Sequence, residues 1–132
     1  MRIAVVPGTL ALQERYASLT DPIPELRAAV TAAREWADRV FVINGSARRT
    51  QASPGPFDER AVPFDEALFT ALTGPDVARI RSTDQRLATE LWATVGSAPD
   101  LADALASKPW QVSVDYHDAP TGVAWWVIRY AS

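Results

Sequence analysis

The sequence contains no cysteine and a single histidine, His117, among 132 residues. The absence of cysteine excludes disulfides, thiol nucleophiles and thiolate metal ligands from this chain. Non-haem iron sites use two imidazoles and a carboxylate, and one histidine cannot supply both imidazoles. No spacing of the Asp-x-Asp kind indicates a magnesium or calcium site either. We therefore expect no metal site and no cofactor.

Long hydrophobic runs and blocks of like charge are also missing. The first apolar run ends at Pro7, which is too short for a signal-peptide core or a membrane span. The sequence therefore predicts a cytoplasmic protein with no membrane partner. Its formal net charge is -3, with acidic and basic residues interspersed, so we expect no nucleic-acid partner. The one cationic cluster is Arg48 with Arg49.

What the sequence does contain is the pattern of one α/β domain over residues 1–132. Residues 3–6 and 40–43 are continuous apolar runs, which are typical of strands buried on both faces of a parallel sheet. Between them, Asp21-Pro22 has the form of a helix N-cap followed by a proline of the first turn. Apolar residues then recur at helical spacing, at Leu26, Ala29, Val30, Ala33 and Ala37. These segments predict an N-terminal β-α-β unit with a right-handed crossover.

Several helices are predicted in the middle of the chain. Residues 50–61 contain two prolines and a glycine without an apolar period, so they predict a loop of a length that is often functional. A helix follows and stops at Gly74-Pro75, where a short second helix begins. The apolar positions of the first of these helices are Val62, Phe64, Leu68, Phe69 and Leu72. Ser82 fits a capping box for a helix that runs to Gly96, and residues 97–105 predict the last helix.

The C-terminal segment changes to a period of two, which indicates strands. Apolar and polar side chains alternate in residues 110–117, residues 118–122 have turn chemistry, and residues 123–130 are apolar on both faces. The two strands predict an antiparallel hairpin at the end of a small mixed sheet. Trp125 and Trp126 then lie either inside the sheet or on the surface of a homodimer.

The loop after the second strand is the first candidate ligand site. It contains Asn44, Gly45, Ser46, Arg48 and Arg49. The carboxyl end of a strand is the usual place for a ligand in an open α/β sheet. Glycine lets backbone N–H groups approach an anion, and an arginine guanidinium pairs with a carboxylate or phosphate through two hydrogen bonds. The alternative is that Asn-Gly makes a turn and the arginines pair within the chain, with Asp58, Glu59 or Asp65.

The polar face of the hairpin is the second candidate site. The polar face carries Gln111, Ser113, Asp115 and His117, and the other face carries Val112, Val114 and Tyr116. In the expected register His117 lies opposite Val123. Asp115 then lies opposite Trp125, whose indole joins the same site. A carboxylate beside an imidazole would orient it, raise its pKa and support acid/base catalysis on an aromatic or amide substrate. A solvent-facing sheet surface explains the same row.

Several motifs resemble one known family in their order along the chain. The motifs are Asn44-Gly-Ser-Ala-Arg-Arg-Thr50, Pro54-Gly55, Asp58-Glu-Arg-Ala61, Pro63-Phe-Asp65, Pro109-Trp-Gln-Val112 and Asp118-Ala-Pro-x-Gly-Val123. Over residues 40–130 the chain resembles actinobacterial members of the class III extradiol ring-cleavage dioxygenase superfamily. The similarity is to the catalytic B-subunit of the protocatechuate-cleaving type, and it implies an α/β fold.

The same resemblance implies that the iron chemistry of those enzymes is lost here. Family members hold non-haem iron with two histidines and a glutamate, and the first histidine follows the opening strand. In this chain the opening strand runs into Val6-Pro7-Gly8 without a histidine, and His117 lies outside the family's metal motif. The resemblance therefore supports the fold and argues against dioxygenase activity.

Three hypotheses for function follow. The first is a metal-free, truncated relative of the extradiol dioxygenases that binds a small anionic or aromatic metabolite near the strand-end loop. The second is a cofactor-independent enzyme that uses His117 and Asp115 as acid and base, with Arg48 or Arg49 holding the charge of the substrate. The third is a non-catalytic subunit that pairs through the tryptophan-rich hairpin.

Overall fold

A computed structural model describes residues 1–8 and 23–132. Its strands are β1 (Arg2–Val6), β2 (Arg39–Val42), β3 (Gln111–Asp118) and β4 (Trp125–Ala131), and they form one mixed sheet in the order β2-β1-β4-β3. β1 lies parallel to β2 and antiparallel to β4, and β3 and β4 form an antiparallel hairpin. The predicted α/β fold class, with a parallel first pair and a C-terminal hairpin, is confirmed.

Within the described ranges the helices are α1 (Pro24–Trp36), α2 (Ala61–Thr73), α3 (Val77–Arg81), α4 (Gln85–Glu90) and α5 (Ala98–Leu105). None of these helices has the length and apolar composition needed to cross a bilayer. The predicted apolar stripe of α1 is buried at Leu26 and Ala33, and Pro24 occupies its first turn. The predicted N-cap at Asp21-Pro22 lies outside the described residues.

The sheet has a hydrophobic core on each face. α1 packs on one face, where Leu26 joins Val6 of β1 and Trp125 of β4. α2 and α5 lie on the other face, where Leu72 and Trp126 belong to a second buried cluster. Since both faces are covered, successive side chains are buried at residues 3–6 of β1 and 125–128 of β4, and this explains why these segments read as continuous apolar runs.

The predicted helix that starts at a Ser82 capping box is shorter than expected. Asp84 caps α4 instead, because its carboxylate accepts a backbone N–H of the first turn at 2.9 Å. The helix ends well before Gly96, and Trp92 just beyond it adopts a left-handed backbone with a φ of 58°. The predicted stop at Gly96 is therefore wrong, and the residues after α4 run as an extended segment towards the end of β2.

A β-bulge in β3 overturns the predicted faces of the hairpin. The register shifts between Val114 and Tyr116, which leaves Asp115 as the extra residue. Tyr116 therefore packs in the core on the α1 face, while His117 pairs with Trp126 and stacks on a side chain of α2. The predicted register is wrong, because His117 lies opposite Trp126 and not opposite Val123. The single polar row is wrong as well, because the extra residue turns the side chains after it to the opposite face.

Both tryptophans of the hairpin lie inside the sheet. Trp125 and Trp126 are 0% exposed, because β4 lies between β1 and β3 and helices cover both faces. The alternative of an internal strand is confirmed, and the prediction that these two side chains form a homodimer surface is wrong. A homodimer would have to use another part of the molecule.

Candidate functional site

Asn44 is a structural residue at the end of β2. Its side-chain oxygen accepts the Gly8 N–H at 2.9 Å, and its backbone exchanges two hydrogen bonds with Thr94, of 2.9 and 3.0 Å. These bonds join the ends of β1 and β2 to the segment after α4, and the Asn44 side chain is fully buried. The asparagine therefore holds the loop together and is not open to a ligand.

Gly45 and Ser46 position a buried carboxylate of α2, Asp65. The Ser46 N–H donates to Asp65 Oδ1 at 2.7 Å. Gly45 lies so close that an added Cβ would stand 2.6 Å from Asp65 Oδ1 and 2.6 Å from the Cβ of Ala124. A glycine is needed for this approach, since any side chain would collide with the carboxylate. The loop and α2 are thus packed together at Asp65.

The two adjacent arginines have different partners. Arg48 donates to two backbone carbonyls, one in the loop at 2.7 Å and one at the end of α4 at 2.6 Å, and lies 3.8 Å from Asp58. Arg49 donates from Nη1 to Asp65 Oδ2 at 2.7 Å. The alternative prediction, in which the arginines pair within the chain, is confirmed for both. Arg48 holds the loop, whereas Arg49 holds the buried carboxylate.

Arg49 also opens onto a cleft of about 350 Å³ between α2 and β3. We call it the Arg49 cleft, and its lining residues are Arg49, Asp65, Glu66, Phe69, Thr70 and His117. A second hollow of about 210 Å³ shares Arg49 and His117 and adds Asp118, Ala119 and Ala124. Of the predicted ligand-binding residues, only Arg49 lines the cleft, together with the predicted catalytic residue His117.

A stacked pair of rings forms part of the cleft wall. Phe69 and His117 stack with their centroids 3.6 Å apart and their planes at 11°. The buried Trp126 supports them, with its ring 5.8 Å from Phe69 and 6.4 Å from His117. Its indole N–H finds no hydrogen-bond partner in the part of the chain that the structure describes. The stack places two aromatic rings in the lining of the cleft beside the Arg49 cation.

Burial shifts the pKa of both titratable groups at the centre of the cleft. Desolvation raises the pKa of Asp65 to about 6, although the Ser46 N–H and the Arg49 guanidinium act to lower it. The pKa of His117 is lowered, first by burial and then by the charge of Arg49, while Asp118 opposes the shift. The prediction that a neighbouring carboxylate raises the pKa of His117 is wrong, because burial and Arg49 outweigh it.

The imidazole of His117 should titrate below the ordinary histidine pKa of 6.5. Arg49→Gln removes a nearby cation and should raise this pKa, whereas Asp118→Asn removes an anion and should lower it further. Because His117 is the single histidine, its ring-proton resonances report the titration in a one-dimensional NMR experiment. A wild-type pKa at or above 6.5, or a lower pKa in Arg49→Gln, would contradict these electrostatics.

Two residues predicted for the site lie elsewhere. Asp115 accepts a hydrogen bond from Arg129 Nη2 at 3.0 Å, and the bulge separates it from His117. The predicted acid/base pair of His117 and Asp115 is therefore not formed. Trp125 lies in the core on the α1 face, where its indole N–H donates to Thr121 at 3.1 Å. In both cases the sheet register takes the side chain away from the cleft.

The sequence patterns missed the part that α2 has in the cleft. Asp65 was recognisable only as an arginine partner, and Phe69 only as an apolar helix residue. A usable signal was nevertheless present. The buried face of α2 includes Ala61, Asp65, Leu68 and Leu72, so a carboxylate stands within an apolar stripe. A buried ionisable group of this kind is a candidate functional residue.

Among the described residues, no three His, Asp or Glu side chains are grouped as metal ligands. Comparisons of the chain with protein-family models, with curated proteins and with solved structures found no match. The resemblance to extradiol dioxygenases therefore stays a prediction. The function is inferred below from the geometry of the Arg49 cleft.

Proposed function

We propose that this chain binds a small aromatic acid in the Arg49 cleft. The observation that carries the proposal is the position of the Arg49 guanidinium in the same cleft as the stacked rings of Phe69 and His117. A guanidinium pairs with a carboxylate through charge-assisted hydrogen bonds, and an aromatic ring packs favourably against other rings. One small planar acid uses both features at once.

Among the residues that the structure describes, Arg49 leaves hydrogen-bond donors for a ligand. Its hydrogen bond to Asp65 uses one of the five N–H groups of the guanidinium. Across residues 1–8 and 23–132 Arg49 has no other hydrogen-bond partner, and its side chain is 22% exposed. The bond to Asp65 also fixes the orientation of the guanidinium before the ligand arrives, which reduces the entropy lost on binding.

The size of the cleft limits the ligand to a small molecule. Ligand pockets usually have volumes of about 300 to 1,000 Å³, and the Arg49 cleft has about 350 Å³. Thr70 adds a hydroxyl group that can donate to or accept from a substituent of the ring. These dimensions favour a ligand with one ring and one acid group.

We also propose, from the motif resemblance, that the chain is a shortened, metal-free relative of the extradiol dioxygenases that lacks dioxygenase activity. The support is the position of the resembling motifs in the folded chain. The segments at residues 44–50, 63–65 and 118–123 carry much of the resemblance, and they contribute Arg49, Asp65 and Asp118 to the two hollows. Motifs that are distant in sequence thus meet where a binding site would require them.

Benzoate is the simplest probe of the proposed function. It should raise the melting temperature by mass action, and Arg49→Gln should weaken its binding by at least about tenfold, since a hydrogen bond to a charged group contributes about 1.5–3 kcal/mol. Cyclohexanecarboxylate keeps the acid group without the aromatic ring and should bind more weakly. Thermal shift and isothermal titration calorimetry measure these effects.

Arg86→Gln is the matched control, because Arg86 is an exposed arginine of α4 that lies outside the lining of the cleft. This variant should bind benzoate as the wild type does. Equal affinities of Arg49→Gln and Arg86→Gln would overturn the proposal, as would the absence of any stabilisation by benzoate.

A cofactor-independent acid/base enzyme is the second candidate. The observation that favours it is the presence of two groups with shifted pKa values in one cleft. The pKa of Asp65 is raised to about 6 and that of His117 is lowered from 6.5. Groups with shifted pKa values are frequent in active sites. Asp65 then takes the place that the sequence hypothesis gave to Asp115. We favour ligand binding over catalysis because binding requires only the charge and shape of the cleft.

A further inference from the structure

We infer that Asp65 takes up a proton when an anionic ligand enters the Arg49 cleft, so that the ligand replaces Asp65 as the counter-ion of Arg49. The inference rests on the proposed function, and it assigns to Asp65 the role of the residue that decides which ligand charge the cleft accepts. The proton comes from the solvent, and the ligand keeps its negative charge.

Arg49 already has a counter-ion, so its charge is not free to attract an ionised ligand. Asp65 Oδ2 lies 2.7 Å from Arg49 Nη1 and already offsets its charge. Glu66 from α2 and Asp118 from β3 are further acidic groups at the two hollows, and His117 is the remaining titratable group. With Asp65 ionised, a second carboxylate at Arg49 would therefore meet net repulsion.

Asp65 cannot relieve this repulsion by turning out to solvent. Its side chain is 2% exposed, and the Ser46 N–H holds Oδ1 at 2.7 Å. Gly45 packs against the same oxygen, which closes the space behind it. The carboxyl group of Asp65 therefore stays beside the ligand, and two carboxylates share one guanidinium.

Two carboxylates held beside one partly buried cation are most stable when they share a proton. Asp65 is the group that takes it, because burial already favours the neutral form of its side chain. The neutral carboxyl keeps an oxygen for the Ser46 N–H and gains an O–H donor that can bond to the ligand. At neutral pH the empty protein has Asp65 mainly ionised, so the proton is taken up on binding.

Calorimetry counts this proton directly. We expect that titration of the full chain with benzoate at neutral pH shows an uptake of about one proton per ligand, obtained by comparing phosphate, imidazole and Tris buffers of different ionisation enthalpy. The affinity should fall by about tenfold per pH unit as the pH rises above the pKa of about 6 that Asp65 has in the empty protein.

Two variants identify the group that takes up the proton. Asp65→Asn imitates the neutral carboxyl, so its proton uptake should vanish and its affinity should lose the dependence on pH. His117→Gln removes the imidazole of the cleft and should retain the uptake. If Asp65→Asn does not fold, a wild type without proton uptake, or a His117→Gln variant that loses it, still contradicts the inference.

Three results would contradict the proton uptake by Asp65. Benzoate binding to the wild type without proton uptake, uptake that persists in Asp65→Asn, or uptake that disappears in His117→Gln would each overturn the role of Asp65. In each of these cases benzoate still binds, and the proposed function stands. A wild type that binds no benzoate at any pH overturns the proposed function and this inference with it.

Discussion

Gly45→Ala should lower the free energy of unfolding by at least about 3 kcal/mol and remove benzoate binding. The new Cβ would lie 2.6 Å from Asp65 Oδ1 and 2.6 Å from the Cβ of Ala124, so the loop or α2 must move. This movement pulls Asp65 away from the Ser46 N–H and from Arg49, and the buried carboxylate loses both partners. Urea unfolding followed by tryptophan fluorescence measures the loss.

Gly96→Ala is the matched control for this prediction. No atom lies within 4 Å of the Cβ added at Gly96, and its backbone is not in the left-handed region. The same chemical change there should alter the free energy of unfolding by less than about 1 kcal/mol. If the two variants prove equally stable, the loop does not pack against Asp65 in the way described.

The wild type should lose about 2 kcal/mol of stability relative to Asp65→Asn as the pH rises from about 4 to about 7. The pKa of Asp65 is about 6 in the folded protein, against 3.8 for an ordinary aspartate. The folded state therefore binds this proton more tightly than the unfolded state. The stabilisation is complete below pH 3.8 and is lost as the pH rises through about 6.

Urea unfolding of both proteins at several pH values measures this difference. Every other titratable group is common to the two proteins, so the change in their relative stability isolates Asp65. A constant difference would mean that Asp65 keeps its ordinary pKa. A difference that grows in favour of the wild type with rising pH would mean that the Arg49 ion pair outweighs burial, which is the opposite of our description.

Much of the fold follows from the periodicity of the sequence. β1 and β2 each contain a continuous apolar run, and the residues between them include an amphipathic helix, so the parallel pair was predictable. The hairpin followed from the period of two. Its bulge was not predictable, because the extra residue Asp115 leaves the alternation of side chains in the sequence unbroken. The end of α4 was missed as well, because it depends on the left-handed backbone of Trp92, a residue that ordinarily continues a helix.

The cleft was predictable only in part. The sequence pointed to the loop after β2, but it could not separate Arg48 from Arg49, since adjacent arginines differ only in what the folded chain places beside them. Arg48 donates hydrogen bonds to backbone carbonyls, and Arg49 donates one to a carboxylate. Phe69 and His117 are far apart in sequence, and their stacking depends on the bulge that turns His117 towards α2.

Diffraction from crystals soaked with para-bromobenzoate tests the central claim most directly, because the anomalous signal of bromine locates the ligand. We predict a bromine peak in the Arg49 cleft, with the ring against Phe69 and the carboxylate at Arg49, and no such peak in Arg49→Gln. A peak confined to another hollow, such as the groove of about 330 Å³ beside Phe64 and Arg79, would contradict the account.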